Sequence, residues 1–159
     1  MEKRQFKKVA DSRIEMRELV LPNDTNLSGN LLGGRLMHFI DIAGAMAASK
    51  HSNGIVATAA IDSVDFKHPV KLGEIVTLRS RLTYAGTTSM EVLVEVFSED
   101  VETGESVFTN KAYITYVAID RDGKPRPVPG LIPVTKHEKS EYEAAGLRRE
   151  ERLKRRGKK

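Results

Sequence analysis

The segment from Gly34 to Ser49 (GRLMHFIDIAGAMAAS) restricts the possible folds more than any other part of the chain. Its composition is helical, it has no Pro, and apolar residues from Leu36 and Met37 through Phe39, Ile40, Ile42 and Ala43 to Met46 and Ala47 surround its whole circumference. A helix that is apolar on all sides is a buried helix. It is also too short for a membrane span, which takes about 20 residues. The rest of the chain must therefore supply the cover.

The remainder reads as strands. Ser12 to Leu21 alternates Ile14 and Met16 with charges, and Pro22 to Gly34 (PNDTNLSGNLLGG) is turn chemistry. After the helix, four β-rich runs follow: Ile55 to Phe66 before His68-Pro69, Ile75 to Tyr84, Met90 to Phe97, and Val107 to Ile119. Ala85-Gly86-Thr87-Thr88 and Glu102-Thr103-Gly104-Glu105 separate them as turns. One strand, a loop, one buried helix and four strands predict an antiparallel sheet curled around the helix, an α+β architecture. The expected organisation is an N-terminal extension over 1–11, one domain over 12–130, and a tail over 131–159.

Charge argues about the tail. The chain carries a net charge of +4 at pH 7, but residues 136–159 alone hold ten Lys/Arg against five Asp/Glu, so the remaining body is close to neutral. Thr135-Lys136-His137-Glu138 is a capping-box pattern that opens a charged helix, expected to be a solvated face with a frayed end. Without stacking aromatics or a recognised motif, this basicity does not point to nucleic acid. There is no cysteine, which excludes disulfides, thiolate metal sites and a Cys nucleophile and fits a reducing cytoplasm. The N-terminus, MEKRQFKKVADSR, shows no secretory signal, and no apolar run is long enough to span a membrane. His38, His51, His68 and His137 lack metal-ligand spacing, so no metal is expected. P-loop, G-x-S-x-G and G-x-G-x-x-G motifs are missing.

Asp41 stands out on this helix, because a carboxylate among apolar neighbours is costly unless it is paired or faces a polar cleft. It is either a structural Asp satisfied by its surroundings or a general base in a semi-apolar site. Arg35, His38 and Asp41 share one stripe. Just upstream, Asn30, Gly33 and Gly34 place a polar side chain and free N–H groups at the helix start, where negative charge is stabilised. Gly34 and Asp41 are seven residues apart, about 10 Å along a helix axis. One reacting carbon cannot touch both on one helix, so a shared reaction needs two subunits, as in a two-fold dimer. Asp62 and Asp65 read as surface or edge carboxylates.

Three blocks, LPNDTNLSGNLLGGRLMHFIDIAGAMAA, VATAAIDSVDFKHPVKLGEIV and RLTYAGTTSMEVLVEV, strongly resemble the hotdog-fold acyl-CoA thioesterases over about residues 12–135. The resemblance is to the bacterial acyl-CoA hydrolases and to the mammalian brain cytosolic acyl-CoA hydrolase, which carries two such domains in tandem. It implies a hotdog sheet around one central helix, hydrolysis of acyl-CoA to fatty acid and CoA, and no cofactor beyond the CoA of the substrate. It also implies a dimer, assembled as a trimer of dimers. Asp41 corresponds to the general base or nucleophile, Asn30 to its polarising partner, and Gly34 to the oxyanion-binding amide. Gly33, Gly86, Thr87, Thr88 and Ser89 would face CoA. Leu32 departs from relatives that have His there, implying a more apolar wall. A non-catalytic acyl-CoA-binding regulator and a hotdog hydratase are the competing expectations.

Overall fold

The computed structural model describes residues 2–62, 64–66 and 68–157. Its elements run β1 (Phe6–Lys8), β2 (Ile14–Leu19), α1 (Gly33–Ser52), β3 (Val56–Ile61), β4 (Ile75–Ala85), β5 (Ser89–Glu99), β6 (Ser106–Ala118), β7 (Gly130–Ile132) and α2 (Lys136–Gly157). Five strands form one antiparallel sheet in the order β2-β4-β5-β6-β3, and α1 packs into its concave side. The inward residues Val92, Val94 and Val96 of β5 and Ile114 and Tyr116 of β6 are fully buried, together with Ile40, Ala43 and Ala47 of α1. Burial of that apolar surface is the principal stabilising term. This is the antiparallel sheet curled around one helix that the sequence pattern predicts, and the hotdog architecture that the resemblance implies.

Three boundaries differ from the expectation for physical reasons. α1 continues past Ser49, because His51 is buried with Nε2 2.8 Å from the Pro129 carbonyl. It stops at Asn53, which takes the left-handed conformation (φ 56°) that ends helices. β3 is shorter than Ile55–Phe66, since its pairing with β6 closes at Ile61↔Ile114 and one further hydrogen bond from Asp62 N–H to the Tyr113 carbonyl; Ser63, within the expected run, lies outside the described residues. Phe6–Lys8 of the N-terminal extension forms a parallel pair with Gly130–Ile132, at the expected domain border, so both tails are tied to each other.

α2 is the largest departure. Rather than a solvated face, it docks on the outer side of the sheet, with Ala145 fully buried. Glu91 on β5, 1% exposed, accepts hydrogen bonds from the guanidinium groups of Arg148 at 2.7 Å and Arg152 at 3.2 Å. Arg81 on β4 binds Glu141 at 2.6 Å and also pairs with Glu95. Arg148 lies 3.8 Å over the Tyr113 ring. The capping box forms as expected: Thr135 Oγ1 accepts the Glu138 N–H at 3.0 Å, and Glu138 accepts the N–H groups of Val134 and Thr135. Glu138, Glu141, Arg148 and Arg152 of α2 meet opposite charges on Arg13, Arg81 and Glu91 of the body. The helix is therefore a second layer of the domain.

The imidazole of His51 is held below its ordinary value of 6.5, chiefly by burial. The unfolded chain therefore takes up a proton near pH 6.5 that the native state refuses. Stability from this group is complete above pH 6.5 and is lost as the pH falls toward the native value, by at most about 1.4 kcal/mol per pH unit. A His51→Gln variant keeps an N–H donor for the Pro129 carbonyl but cannot titrate. Denaturant unfolding between pH 7.5 and 5 should show the parent losing stability more steeply than the variant below pH 6.5; parallel profiles would contradict this.

Candidate active site

The site is built where α1 faces the inner ends of β3 and β6. Asp41 lies on the part of α1 turned toward β3, and Oδ1 of its carboxylate accepts hydrogen bonds from Thr58 Oγ1 at 2.8 Å and from the Tyr116 hydroxyl at 3.1 Å. The same Tyr116 hydroxyl donates to the backbone carbonyl of Asp41 at 2.9 Å. Burial first, and then the Asp41 charge, push the Tyr116 phenol well above its ordinary range, so it remains an O–H donor. Its room on the helix comes from Gly44, where a Cβ would collide with the phenol oxygen. Among the described residues Oδ2 of Asp41 makes no hydrogen bond. The carboxylate is thus clamped through one oxygen and open at the other, the arrangement a proton acceptor requires.

Neither Thr58 nor Tyr116 was singled out in the sequence. Thr58 sits among alanines of β3 and Tyr116 among β-branched residues of β6, and both look like ordinary sheet side chains; the contact of Tyr116 with the helical Gly44 is visible only once β6 is laid against α1. The Arg35, His38, Asp41 stripe divides among separate partners. Arg35 Nε donates to Asp24 Oδ1 at 2.8 Å and its guanidinium covers the Phe39 ring at 5.1 Å. His38 is exposed beside Phe39. Asp24 itself is buried, and it also accepts the Leu21 N–H at 3.0 Å, so it fastens the loop to the helix.

The start of α1 is open. Leu32 precedes it without a side-chain cap, and it is 42% exposed. The N–H groups of Gly33, Gly34 and Arg35 make no hydrogen bond among the described residues. A Cβ on Gly34 would meet nothing within 4 Å. Asn30 and Gly33 line a cavity of about 230 Å³ with Leu36, Phe66, His68 and Val70. Asn26, also on its wall, holds the loop: its Oδ1 accepts the N–H groups of Ser28 at 2.9 Å and Asn30 at 3.1 Å, and its Nδ2 makes no hydrogen bond among the described residues. Asp41 does not line this cavity. α1 runs unbroken from Gly33 to Ser52, so the 10 Å rise between Gly34 and Asp41 stands within one chain.

Gly86, Thr87, Thr88 and Ser89 form the β4–β5 turn, away from the start of α1. Gly86 N–H donates to the Ser89 carbonyl at 2.8 Å, and the carbonyls of Thr87 and Thr88 accept from Val128 and Ala118. Among the described residues no group of three His, Asp or Glu is placed to hold a metal ion, and no helix is long and apolar enough to cross a membrane.

The chain and its fold have counterparts among known proteins. Residues 28–105 match the family model of the thioesterase superfamily. A Bacillus subtilis protein named uncharacterized acyl-CoA thioester hydrolase YkhA is 39% identical over 89% of this chain and 83% of its own length. The crystal structure of an apo-hexameric acyl-CoA thioesterase superposes with a TM-score of 0.90 at 46% identity, covering 95% of this chain and 97% of the other. An acyl-CoA hydrolase from Staphylococcus aureus, solved with butyryl coenzyme A, coenzyme A and coenzyme A disulfide, gives a TM-score of 0.88 at 40% identity over 96% of this chain and 93% of its own. Further structures of that enzyme carry alanine in place of one asparagine, one aspartate or one threonine. On the fold, the family model and these relatives, the chain belongs to the acyl-CoA thioester hydrolases of the thioesterase superfamily.

Proposed function

We propose that the chain hydrolyses acyl-CoA with Asp41 as general base, in a site completed by a second copy of itself. The observation that carries this reading is the clamped carboxylate: two hydroxyls fix Oδ1 of Asp41 and leave Oδ2 to receive a proton from water. The activated water attacks the thioester carbonyl carbon, the oxygen gains negative charge, and the C–S bond then breaks to release CoA thiolate, which takes up a proton. N–H groups at an open helix start are suited to that developing oxyanion, and Gly33 and Gly34 supply them. No metal or redox group is required, since a thioester is already activated toward attack.

The spacing along α1 supports a shared site, with the Gly34 amides of one protomer facing Asp41 of the other. Ile42, 39% exposed, and Met46, 38% exposed, lie on the helix face that the single chain leaves uncovered, an unfavourable position for large apolar side chains that a partner would relieve. The related hexameric thioesterase makes a trimer of dimers the natural assembly. A cysteine-free chain that uses CoA esters fits the cytoplasm.

Two asparagines compete for the polarising role. Asn30 lies nearer the helix and lines the cavity beside it. Asn26 has the intervals to Asp41 and Thr58 that separate the three replaced residues of the Staphylococcus aureus enzyme. It also presents an amide whose oxygen is already held, so only its N–H₂ is offered. On this reading Asn26 polarises the thioester carbonyl and Asn30 shapes the loop that carries it. Gly86, Thr87, Thr88 and Ser89 are assigned to the CoA moiety.

A thiol-release assay over acyl chains of increasing length tests the activity. Asp41→Asn should lower kcat about 100-fold or more in a folded protein. Asn26→Ala should lower kcat further than Asn30→Ala; the reverse order would return the role to Asn30. Parental turnover by Asp41→Asn would refute the mechanism.

Tyr116→Phe removes the donor to Oδ1 and to the helix carbonyl. We expect kcat to fall about tenfold, the equivalent of one hydrogen bond, with KM unchanged. Gly44→Ala should lower kcat by displacing the phenol, and should add no further loss in the Tyr116→Phe background. Additive losses would show that the two residues act separately.

A further inference from the structure

The turn between β4 and β5 does not hold its shape by itself. It runs from Gly86 to Ser89 with Thr87 and Thr88 at its tip. Two-residue hairpin tips favour the type I′ and II′ turns, which need a positive φ at the first central residue. Neither threonine has one. Tight turns are also often closed by a hydrogen bond from the last N–H to the first carbonyl. Here the Gly86 N–H donates to the Ser89 carbonyl at 2.8 Å, but the Ser89 N–H makes no hydrogen bond to the Gly86 carbonyl. A residue 82 positions away takes that place: Arg4 Nη2 donates to the Gly86 carbonyl at 2.5 Å.

Arg4 is held in reach of the turn by the strand that follows it. Phe6–Lys8 pairs with Gly130–Ile132, and the Gly130 N–H donates to the Gln5 carbonyl at 2.8 Å. The Phe6 ring fills the space that a side chain at position 130 would need, and the Arg4 guanidinium lies 5.7 Å from the centre of that ring. Arg4 Nε donates to the Val128 carbonyl at 3.3 Å, while the Val128 N–H donates to the Thr87 carbonyl at 2.9 Å. The Thr88 carbonyl accepts from Ala118 at 3.0 Å. The carbonyls of Gly86, Thr87 and Thr88 are thus all turned toward protein donors. The N–H groups of Thr87 and Thr88 make no hydrogen bond among the described residues. In a planar trans peptide the carbonyl and the next N–H point in opposite directions, so Arg4 fixes the Thr87 N–H on the side away from itself. A charged donor on the carbonyl also polarises that N–H. The turn therefore offers donors and no free carbonyl, a surface suited to anionic oxygens.

We propose that Arg4 is a positioning residue for substrate binding, which acts through the Gly86–Thr87 peptide and holds the turn in its donor-only conformation. The inference rests on the reading above that this turn faces the CoA moiety. It gives the N-terminal extension, outside the sheet and far from Asp41 in the chain, a part in recognition of the substrate. Arg4 forms no ion pair among the described residues, so its whole charge stands behind the turn.

The test compares an acyl-CoA with the same acyl group on pantetheine, which has the reacting thioester but no phosphate. Arg4→Ala should raise KM for acyl-CoA about tenfold, the scale of one hydrogen bond to a charged group, and leave kcat and acyl-pantetheine hydrolysis unchanged. Arg4→Lys keeps a cationic donor and should recover most of the affinity. Lys7→Gln removes the strand's other side-chain tie, to the Lys50 carbonyl at 3.0 Å and to Asn53, and should change KM for neither substrate. An unaltered KM for acyl-CoA in Arg4→Ala, or an equal rise with both substrates, would overturn the proposal. So would a Lys7→Gln variant that behaves like Arg4→Ala, since Arg4 would then serve only to fasten the strand. Hydrogen exchange reads the turn without turnover. CoA should slow exchange over residues 86–89 in the parent and slow it less in Arg4→Ala; equal protection in both would overturn the proposal. A parent that hydrolyses neither thioester would strike the activity and leave the exchange result to decide the role of Arg4. A parent whose turn CoA does not protect would strike the assignment of the turn to CoA, and this proposal with it.

Discussion

A carboxylate placed midway along a helix whose core face from Leu36 to Ala47 is wholly apolar is the constraint around which this molecule is organised. Ile40, Ala43 and Ala47 of α1 are fully buried against the sheet, so an unpartnered charge at position 41 would oppose the burial that holds the domain together. The sheet answers with hydroxyls. Thr58 from the edge strand and Tyr116 from its neighbour converge on one carboxylate oxygen. Tyr116 also binds the carbonyl of the same helical residue, so the side chain and the backbone of Asp41 are fixed by a single phenol. Gly44 is the space that makes this possible. Helix, sheet and chemistry meet in that contact.

The second constraint is length. An unbroken helix separates its own N-terminal amides from Asp41 by about 10 Å, and those amides lie open beside the loop that carries Asn26 and Asn30. On the proposed mechanism a second protomer closes this distance, and the same association covers Ile42 and Met46. The outer layer follows a different logic. α2 is strongly charged, yet it is bound to the sheet because Glu91 and Arg81 are set on outward strand positions to meet it, with Glu95 pairing Arg81 from the next strand.

How much of this could be read from the chain depends on the range of each interaction. The circumferential apolar pattern of α1 and the period-two strands identified the curled sheet, since both signals are local. The capping box at Thr135 announced the start of α2 for the same reason. The docking of α2 was not legible: charges on a helix look solvated unless the complementary charges, here 57 to 61 positions away in the chain, are known to lie beneath them. Asp41 was legible through its unfavourable surroundings. Thr58 and Tyr116 were not, because a hydroxyl in a strand carries no sign of what it faces across the core. The loop shows the same limit, for Asn26 and Asn30 differ in their hydrogen bonds rather than in their local sequence. β1 pairs with β7 across most of the chain, a contact that three-residue strands cannot signal.

The central claim is that one catalytic site draws its polarising amide and its base from two copies of the chain. Mixing separately inactive Asn26→Ala and Asp41→Asn proteins under conditions of proven subunit exchange tests it most directly. The account predicts that thiol release reappears in the mixture, because a heterodimer contains one site with both native residues. Full exchange without recovered turnover would contradict it.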